Sequence, residues 1–120
     1  MKKRILVVDD DPQMTELLTD FCDGLGYEVI THTDGPSVTA AAQAWKPDLI
    51  TLDLEMPGKD GLDVLNELRA DPATRHIPVI IISVMATEAG IPPDLVQGVF
   101  DKPIAFQKLL GRIGTVLSPA

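Results

Sequence analysis

Short runs of consecutive apolar residues alternate along this chain with longer stretches in which apolar residues recur every three or four positions. The continuous runs are typical of strands buried on both faces, and the spaced positions are typical of amphipathic helices. The predicted strands cover residues 4–9, 27–31, 48–53, 78–83 and 99–100. The pattern therefore predicts five strands, the second of which is less apolar and is expected at a sheet edge.

Helical spacing predicts a helix after the first, second, third and fifth strands. The first helix is expected to begin at Pro12, with Asp11 as its N-cap. Between residues 84 and 98, glycine and proline interrupt the pattern, so a fourth helix is expected to be short or irregular, with one or two turns around residues 94–97. The positions expected to face inward are Met14, Leu17, Leu18, Phe21 and Leu25; Val38, Ala41, Ala42 and Trp45; Leu62, Leu65 and Leu68; and Phe106, Leu109, Leu110, Ile113 and Leu117.

Alternation of strands and helices indicates an α/β fold with a parallel sheet and helices on both faces. Five strands admit the order 2-1-3-4-5, in which the first and third strands are neighbours. Since connections between these elements have ordinary lengths, one domain over residues 1–120 accounts for the whole pattern.

Composition narrows the classes of partner. The formal net charge of −8 argues against binding to nucleic acid or to an anionic membrane surface. No apolar run approaches the roughly 18–20 residues of a membrane span, so a cytoplasmic location is expected. Cys22 is predicted to be a buried, reduced thiol, and His32 and His76 are predicted to be separate surface residues rather than metal ligands.

Polar residues that can take part in chemistry stand at or just after the ends of four predicted strands. Three acidic residues at 9–11 follow the first strand, Asp53 ends the third, Ser83 ends the fourth, and Lys102 follows the fifth. Strands in a sheet lie about 4.8 Å apart, so carboxylates after the first and third strands would repel one another unless a cation such as Mg²⁺ lay between them.

Each of these residues also has an ordinary structural interpretation. Asp11 can cap a helix while its neighbours are merely solvated, Ser83 can be a turn residue, and Lys102 can be a surface charge. Taken together, however, they form a set suited to phosphoryl chemistry. The acidic residues would bind a metal that, with the Lys102 ammonium, offsets negative charge. The Ser83 hydroxyl would bind a phosphoryl oxygen, and the Asp53 carboxylate would be free to act as nucleophile.

Five motifs occur in a fixed order, at residues 5–11, 53–58, 60–61, 77–83 and 102–103. In combination they resemble the receiver domain of bacterial two-component response regulators, over essentially the whole chain. The resemblance implies a CheY-like, flavodoxin-like fold. It also implies that Asp53 accepts a phosphoryl group from a sensor histidine kinase or a histidine phosphotransfer protein.

The resemblance further assigns the residues around Asp53. Asp10, Asp53 and the backbone carbonyl of Glu55 would bind Mg²⁺, and Asp9 would hold a metal-bound water. Ser83 and Lys102 would contact the phosphoryl oxygens, and the bond between Lys102 and the following proline would be cis. The domain would then be a switch of a protein-interaction surface that catalyses only its own phosphorylation and dephosphorylation, and not a turnover enzyme.

Three features depart from the family pattern. Val99 stands where the family usually has an aromatic switch residue, so Phe100 is a possible substitute from a shifted register. Val84 stands where a small residue is usual and is expected to narrow access to Asp53. The irregular segment 84–98 leaves open whether the family's usual dimerisation and partner face is present.

Two other classes of function also fit parts of the sequence. A receiver-like interaction module that works without phosphate is favoured by Val84, Val99 and the irregular segment, and is opposed by the intact acidic, hydroxyl and lysine residues. A small α/β enzyme or flavin carrier is opposed by the aspartates at 9–11, which would repel a phosphate. A phosphohydrolase of the aspartyl type would usually carry a second aspartate where Glu55 stands.

Overall fold

The computed structural model describes residues 2–118 and contains one parallel sheet of five strands. The strand order is β2-β1-β3-β4-β5, which confirms the predicted order and the predicted edge position of the second strand. The strands are β1 (Arg4–Val8), β2 (Glu28–His32), β3 (Leu49–Leu52), β4 (Val79–Ser83) and β5 (Gly98–Asp101). The α-helices are α1 (Pro12–Gly24), α2 (Val38–Trp45), α3 (Gly61–Ala70) and α4 (Phe106–Leu117).

Two apolar cores cover the two faces of the sheet, as the continuous apolar strands predict. Alternate residues of each central strand enter opposite cores, because successive side chains of a strand point to opposite faces. One core packs α2 and α3 against the sheet, and the other packs α1 and α4 against it. Helices on both faces, with β1 and β3 adjacent at the centre, place the strand ends predicted to carry chemistry side by side.

The prediction of which α1 residues face the core is partly wrong. Leu17, Phe21 and Leu25 are 40%, 42% and 56% exposed, whereas Leu18 is buried as predicted. The buried stripe also contains Thr15 and Cys22, which spacing of large apolar residues alone did not select. Only a narrow stripe of α1 touches the sheet, and the ring of Phe21 instead stacks on Phe106 of α4 at 5.2 Å.

Smaller corrections apply to the other helices. Val64, which was not predicted to face inward, is buried in α3, while Leu62 is half-exposed. Ala41 and Trp45 of α2 and Phe106 of α4 are half-buried but pack against the cores, as predicted, and Leu110 of α4 is half-buried. Leu62 remains partly exposed because a helix on a sheet buries a stripe narrower than its full apolar face.

The segment between β4 and β5 is irregular, as predicted. Two short 3₁₀ helices, Ala86–Ala89 and Pro93–Leu95, occupy the described part of the chain between these strands. The turn expected around residues 94–97 is misplaced, because Val96 is already extended. The guanidinium of Arg69 donates to the backbone carbonyls of Leu95, Ile77 and Arg75 and so ties this segment to α3.

Within residues 2–118, the helices are all too short or too polar to cross a lipid bilayer.

Candidate functional site

The carboxyl ends of β1, β3, β4 and β5 meet at one edge of the sheet, and the predicted polar residues meet with them. The Asp53 amide donates to the Val8 carbonyl at 3.0 Å, which carries the β1–β3 pairing up to the site. Asp9 and Asp53 are 2% and 4% exposed, and Ser83 is fully buried. The carboxylates therefore lie in a recess and not on the open surface, whereas Asp10 at its rim is exposed.

Both carboxylate oxygens of Asp53 accept hydrogen bonds. The Ser83 hydroxyl donates to Oδ1 at 2.7 Å, and the Glu55 amide donates to the same oxygen at 3.1 Å. The Lys102 ammonium donates to Oδ2 at 3.2 Å. Donors from three different strand ends thus fix the orientation of one buried carboxylate.

Lys102 also bridges the first and third strand ends. Its Nζ lies 2.8 Å from Oδ2 of Asp9 and 3.2 Å from Oδ2 of Asp53. Burial alone would lower the pKa of Lys102, but hydrogen bonds and attraction from Asp9 and Asp53 outweigh burial and raise the pKa. Lys102 is therefore charged here, and the peptide bond between it and Pro103 is cis, as the resemblance implies.

A group of three carboxylates is suited to a hard divalent cation. Oxygens from Asp9, Asp10 and Asp53 lie within 4.8 Å of one another. Burial raises the pKa of Asp9, and repulsion from Asp53 adds to that effect although Lys102 opposes it. Lys102 is the only ammonium that the structure records against these carboxylates, so negative charge remains in excess, and oxygen donors of this kind fit Mg²⁺. The backbone carbonyl of Glu55 stays a predicted ligand.

The structure contradicts the prediction that Phe100 substitutes for an aromatic switch residue at position 99. Val99 pairs with Ile81 and packs, half-buried, against the core beneath α2 and α3. Phe100 pairs with Ile82 and packs into the opposite core beneath α4. Because neighbouring residues of a strand face opposite sides and β5 shows no shift of register, Phe100 does not stand in for an aromatic residue at position 99.

The two histidines do not share a site. His76 is exposed, as predicted, whereas His32 is half-buried with its Nδ1 at 2.8 Å from the Ser37 hydroxyl. Cys22 is buried and free, as predicted, and burial raises the pKa of its thiol to about 11.

Sequence reasoning missed one contact beside the site. Both carboxylate oxygens of Asp101, the residue before Lys102, accept hydrogen bonds from Thr87 in the first 3₁₀ helix. Thr87 and Asp101 are 14 residues apart in an irregular segment, and no periodic pattern relates them. The only available signal was an acidic residue next to the lysine at the end of β5.

Comparison with known proteins places the chain among receiver domains. The model of the response regulator receiver domain family matches residues 5–114. The response regulator PleD of Caulobacter vibrioides is 41% identical over 116 residues, which cover 94% of this chain and 26% of PleD. The DNA-binding response regulator MtrA of Mycolicibacterium smegmatis is 35% identical over 94% of this chain and 50% of MtrA. The chain therefore spans half or less of the length of these two relatives.

Solved structures share the fold. The N-terminal domain of a response regulator receiver protein from Methanoculleus marisnigri JR1 aligns with a TM-score of 0.73 and 32% identity, over 98% of each chain. The receiver domain of a sensor histidine kinase from Pseudomonas aeruginosa PAO1 aligns with a TM-score of 0.85 and 24% identity, over 99% of this chain and all of that one. That structure was solved with a magnesium ion coordinated in its active-site cleft.

Proposed function

Since the chain belongs to the response regulator receiver domain family, we propose that it accepts a phosphoryl group on Asp53 in a Mg²⁺-dependent reaction. The donor is a phosphohistidine on a sensor histidine kinase or on a histidine phosphotransfer protein. The phosphorylated domain then changes a surface that binds another protein. We place this function in the cytoplasm, consistent with the buried free thiol of Cys22.

One observation carries the proposal. Asp53 is 4% exposed, yet its two oxygens face a hydroxyl, a backbone amide and an ammonium instead of apolar groups. Carboxylate oxygens of Asp9 and Asp10 lie within 4.8 Å of an oxygen of Asp53 and could share a cation with it. A buried carboxylate surrounded by groups that bind phosphoryl oxygens is suited to nucleophilic attack on phosphorus.

The proposed step conserves atoms and charge. An oxygen of the Asp53 carboxylate attacks phosphorus, and the new O–P bond forms as the N–P bond of phosphohistidine breaks. The electron pair of the N–P bond returns to the ring nitrogen, and because the donor's second ring nitrogen carries a proton, the leaving group is a neutral imidazole. Ser83 and Lys102, which now bind Asp53 itself, are placed to donate to the incoming phosphoryl oxygens. When bound, Mg²⁺ would supply positive charge at those oxygens, held by Asp10, Asp53 and the Glu55 carbonyl, with Asp9 acting through water.

Hydrolysis of the acyl phosphate returns Asp53 to its starting form, so the domain is a resettable switch and not a turnover enzyme. Phosphorylation replaces the single negative charge of the Asp53 carboxylate with a phosphoryl group of about −1.5 to −2, a net gain of about −0.5 to −1. The larger group and its added charge beside Lys102 and Ser83 favour a rearrangement of these two residues. Val99 has no aromatic ring that could move in response to phosphorylation. The output surface of this chain therefore differs from one that depends on an aromatic switch residue.

The decisive experiment is phosphorylation by acetyl phosphate, followed by intact-mass spectrometry, with and without Mg²⁺. We expect a mass gain of one phosphoryl group in the wild type, and no gain in Asp53→Ala or after removal of Mg²⁺ with EDTA. Asp71→Ala is a matched control, because the Asp71 carboxylate accepts the Ala73 amide at the C-terminal end of α3, outside the site. Asp71→Ala should be phosphorylated like the wild type.

The alternative of an interaction module that works without phosphate predicts a different result. Folded wild type would then gain no phosphoryl group from acetyl phosphate, from a phosphorylated histidine kinase or from a phosphotransfer protein, and beryllofluoride would not bind. A gain that persists in Asp53→Ala would instead place the acceptor elsewhere and contradict the proposal.

A further inference from the structure

Two exposed apolar side chains flank the acidic recess. Val84 and Met85, directly after Ser83, are 51% and 59% exposed. With Ser83 and Glu55 they line a cleft of about 350 Å³. Both Ser83 and Glu55 donate hydrogen bonds to Asp53, so this cleft lies next to the two residues that hold the proposed phosphoryl acceptor.

Apolar packing does little to hold this part of the chain, residues 84–90, which we term the covering loop. Within it only Ala86 is buried. Met85 has a φ of 55°, a left-handed conformation that is uncommon for residues other than glycine and persists only where the surroundings enforce it. Something other than burial must therefore fix the position of Val84 and Met85.

Asp101 supplies that restraint. The backbone amide of Thr87 donates to Oδ1 of Asp101 at 2.9 Å, and the Thr87 hydroxyl donates to Oδ2 at 2.8 Å. These bonds to the Thr87 amide and hydroxyl lower the pKa of Asp101, so the carboxylate is ionised at neutral pH. We refer to this pair of bonds as the Thr87–Asp101 clasp.

The clasp also joins the covering loop to the strand end that carries Lys102. Asp101 pairs with Ser83 across β4 and β5, and the Lys102 amide donates to the Ser83 carbonyl at 3.0 Å. Lys102 in turn reaches Asp53 and Asp9. The loop beside the recess and the ammonium within it are thus attached to the same short stretch of β5.

We propose that Asp101 is a positioning residue that, through Thr87, holds Val84 and Met85 beside the entrance to Asp53. The clasp thereby slows phosphoryl transfer from small donors and slows hydrolysis of the phosphorylated form. Both reactions need a small molecule, either the donor or water, to reach Asp53, and the cleft that the loop borders is lined by Ser83 and Glu55, which hold Asp53. This inference rests on the proposed function of Asp53.

The test compares Asp101→Ala with the wild type in two rates, phosphorylation by acetyl phosphate with Mg²⁺ and loss of the phosphoryl group after donor removal. Loss of two hydrogen bonds should raise both rates about fivefold. Asp101→Asn is the conservative variant, because an amide oxygen accepts from the Thr87 amide while its nitrogen donates to the hydroxyl. Asn should restore rates close to those of the wild type.

Asp71→Ala is a matched control, since the Asp71 carboxylate likewise accepts one backbone amide, that of Ala73, and one side-chain donor, Gln43. It lies at the end of α3, away from Asp53, and both rates should stay unchanged. If Asp101 acts through the covering loop, Val84→Ala should raise the same rates, and Asp101→Ala should add little to that variant.

Amide hydrogen exchange tests the structural role of the Thr87–Asp101 clasp independently of the proposed function of Asp53. Amides of residues 84–90 should exchange faster in Asp101→Ala, whereas those of β1 and β3 should not change. Equal phosphorylation and hydrolysis rates in Asp101→Ala and the wild type, or unchanged loop exchange, would overturn the role of the clasp while leaving Asp53 as acceptor. A wild type that takes no phosphoryl group from any donor would overturn the proposed function itself, and the kinetic role of the clasp with it.

Discussion

The two successive connections between parallel strands, from β3 to β4 and from β4 to β5, are stabilised in different ways. Between β3 and β4 the chain forms α3, whose Val64, Leu65 and Leu68 are fully buried against the sheet. Between β4 and β5 the chain forms two short 3₁₀ helices, of which Ala86 is buried and Leu95 is half-buried. The first crossover is held by fully buried apolar side chains, whereas the second adds to the buried Ala86 only side chains that are partly buried, including Ile91 and Val96.

Directional hydrogen bonds take the place of burial in the β4–β5 crossover. Arg69 binds the Leu95 carbonyl at one end of it, and Asp101 binds Thr87 at the other. Burial of apolar surface is non-directional and holds an element as a whole, whereas a hydrogen bond fixes one backbone position and can be released singly. The crossover beside the phosphoryl site is therefore the one that can rearrange locally.

The largest effect is expected from Leu68→Ala in α3. Leu68 is fully buried, so its truncation should leave a cavity and lower the free energy of unfolding by about 3 kcal/mol. Urea denaturation followed by circular dichroism measures this as a lower midpoint with an unchanged slope. Leu17→Ala, at a position 40% exposed, is the control and should cost less than about 1 kcal/mol. Equal losses in the two variants would contradict the assignment of the core.

A smaller effect is expected from Arg69→Met, which keeps the aliphatic stem of the side chain but removes the donors to Leu95 and Ile77. Unfolding should become easier by about 2 kcal/mol, because buried carbonyls lose charged donors. Amides of residues 91–97 should also exchange faster, and Arg75→Met, at an exposed position, should change neither quantity. Faster exchange spread evenly over the whole sheet would show that Arg69 supports the fold at large and not this crossover.

The smallest effect is expected from Gly90→Ala. Gly90 ends the first 3₁₀ helix with a φ of +68°, and an added Cβ would meet no atom within 4 Å. The cost is then conformational only, about 1 kcal/mol. Gly111→Ala in the exposed interior of α4 also has free space for a Cβ but lies in a helix, so it should stabilise the protein by about 0.5–1 kcal/mol.

Thermal denaturation of these two glycine variants should thus move the melting temperature in opposite directions. A fall in Gly111→Ala, or no change in Gly90→Ala, would count against the assigned backbone conformations.

A parallel sheet with helices on both faces could be predicted because the central strands are almost entirely apolar, and such strands need covering on both sides. Five such strands admit the order 2-1-3-4-5, which the family resemblance implied. The convergence of Asp53, Ser83 and Lys102 followed directly, since parallel strands bring their carboxyl ends to one edge. The inner faces of the helices were less predictable. Phe21 and Leu62 fit a helical period as well as Leu18 and Leu65 do, and only the position of the sheet decides which of them is covered.

The sequence by itself determined the alternation of strands and helices, the residues at the strand ends and the absence of a regular helical pattern over residues 84–98. These properties depend on local composition and on periods of two and 3.6 residues, which are present in the chain before it folds. Tertiary structure alone decided that β5 pairs with β4 without a shift of register, that Arg69 reaches Leu95, and that Asp101 binds Thr87. The two hydrogen-bonded contacts join residues 26 and 14 positions apart through irregular backbone, so no local pattern encodes them.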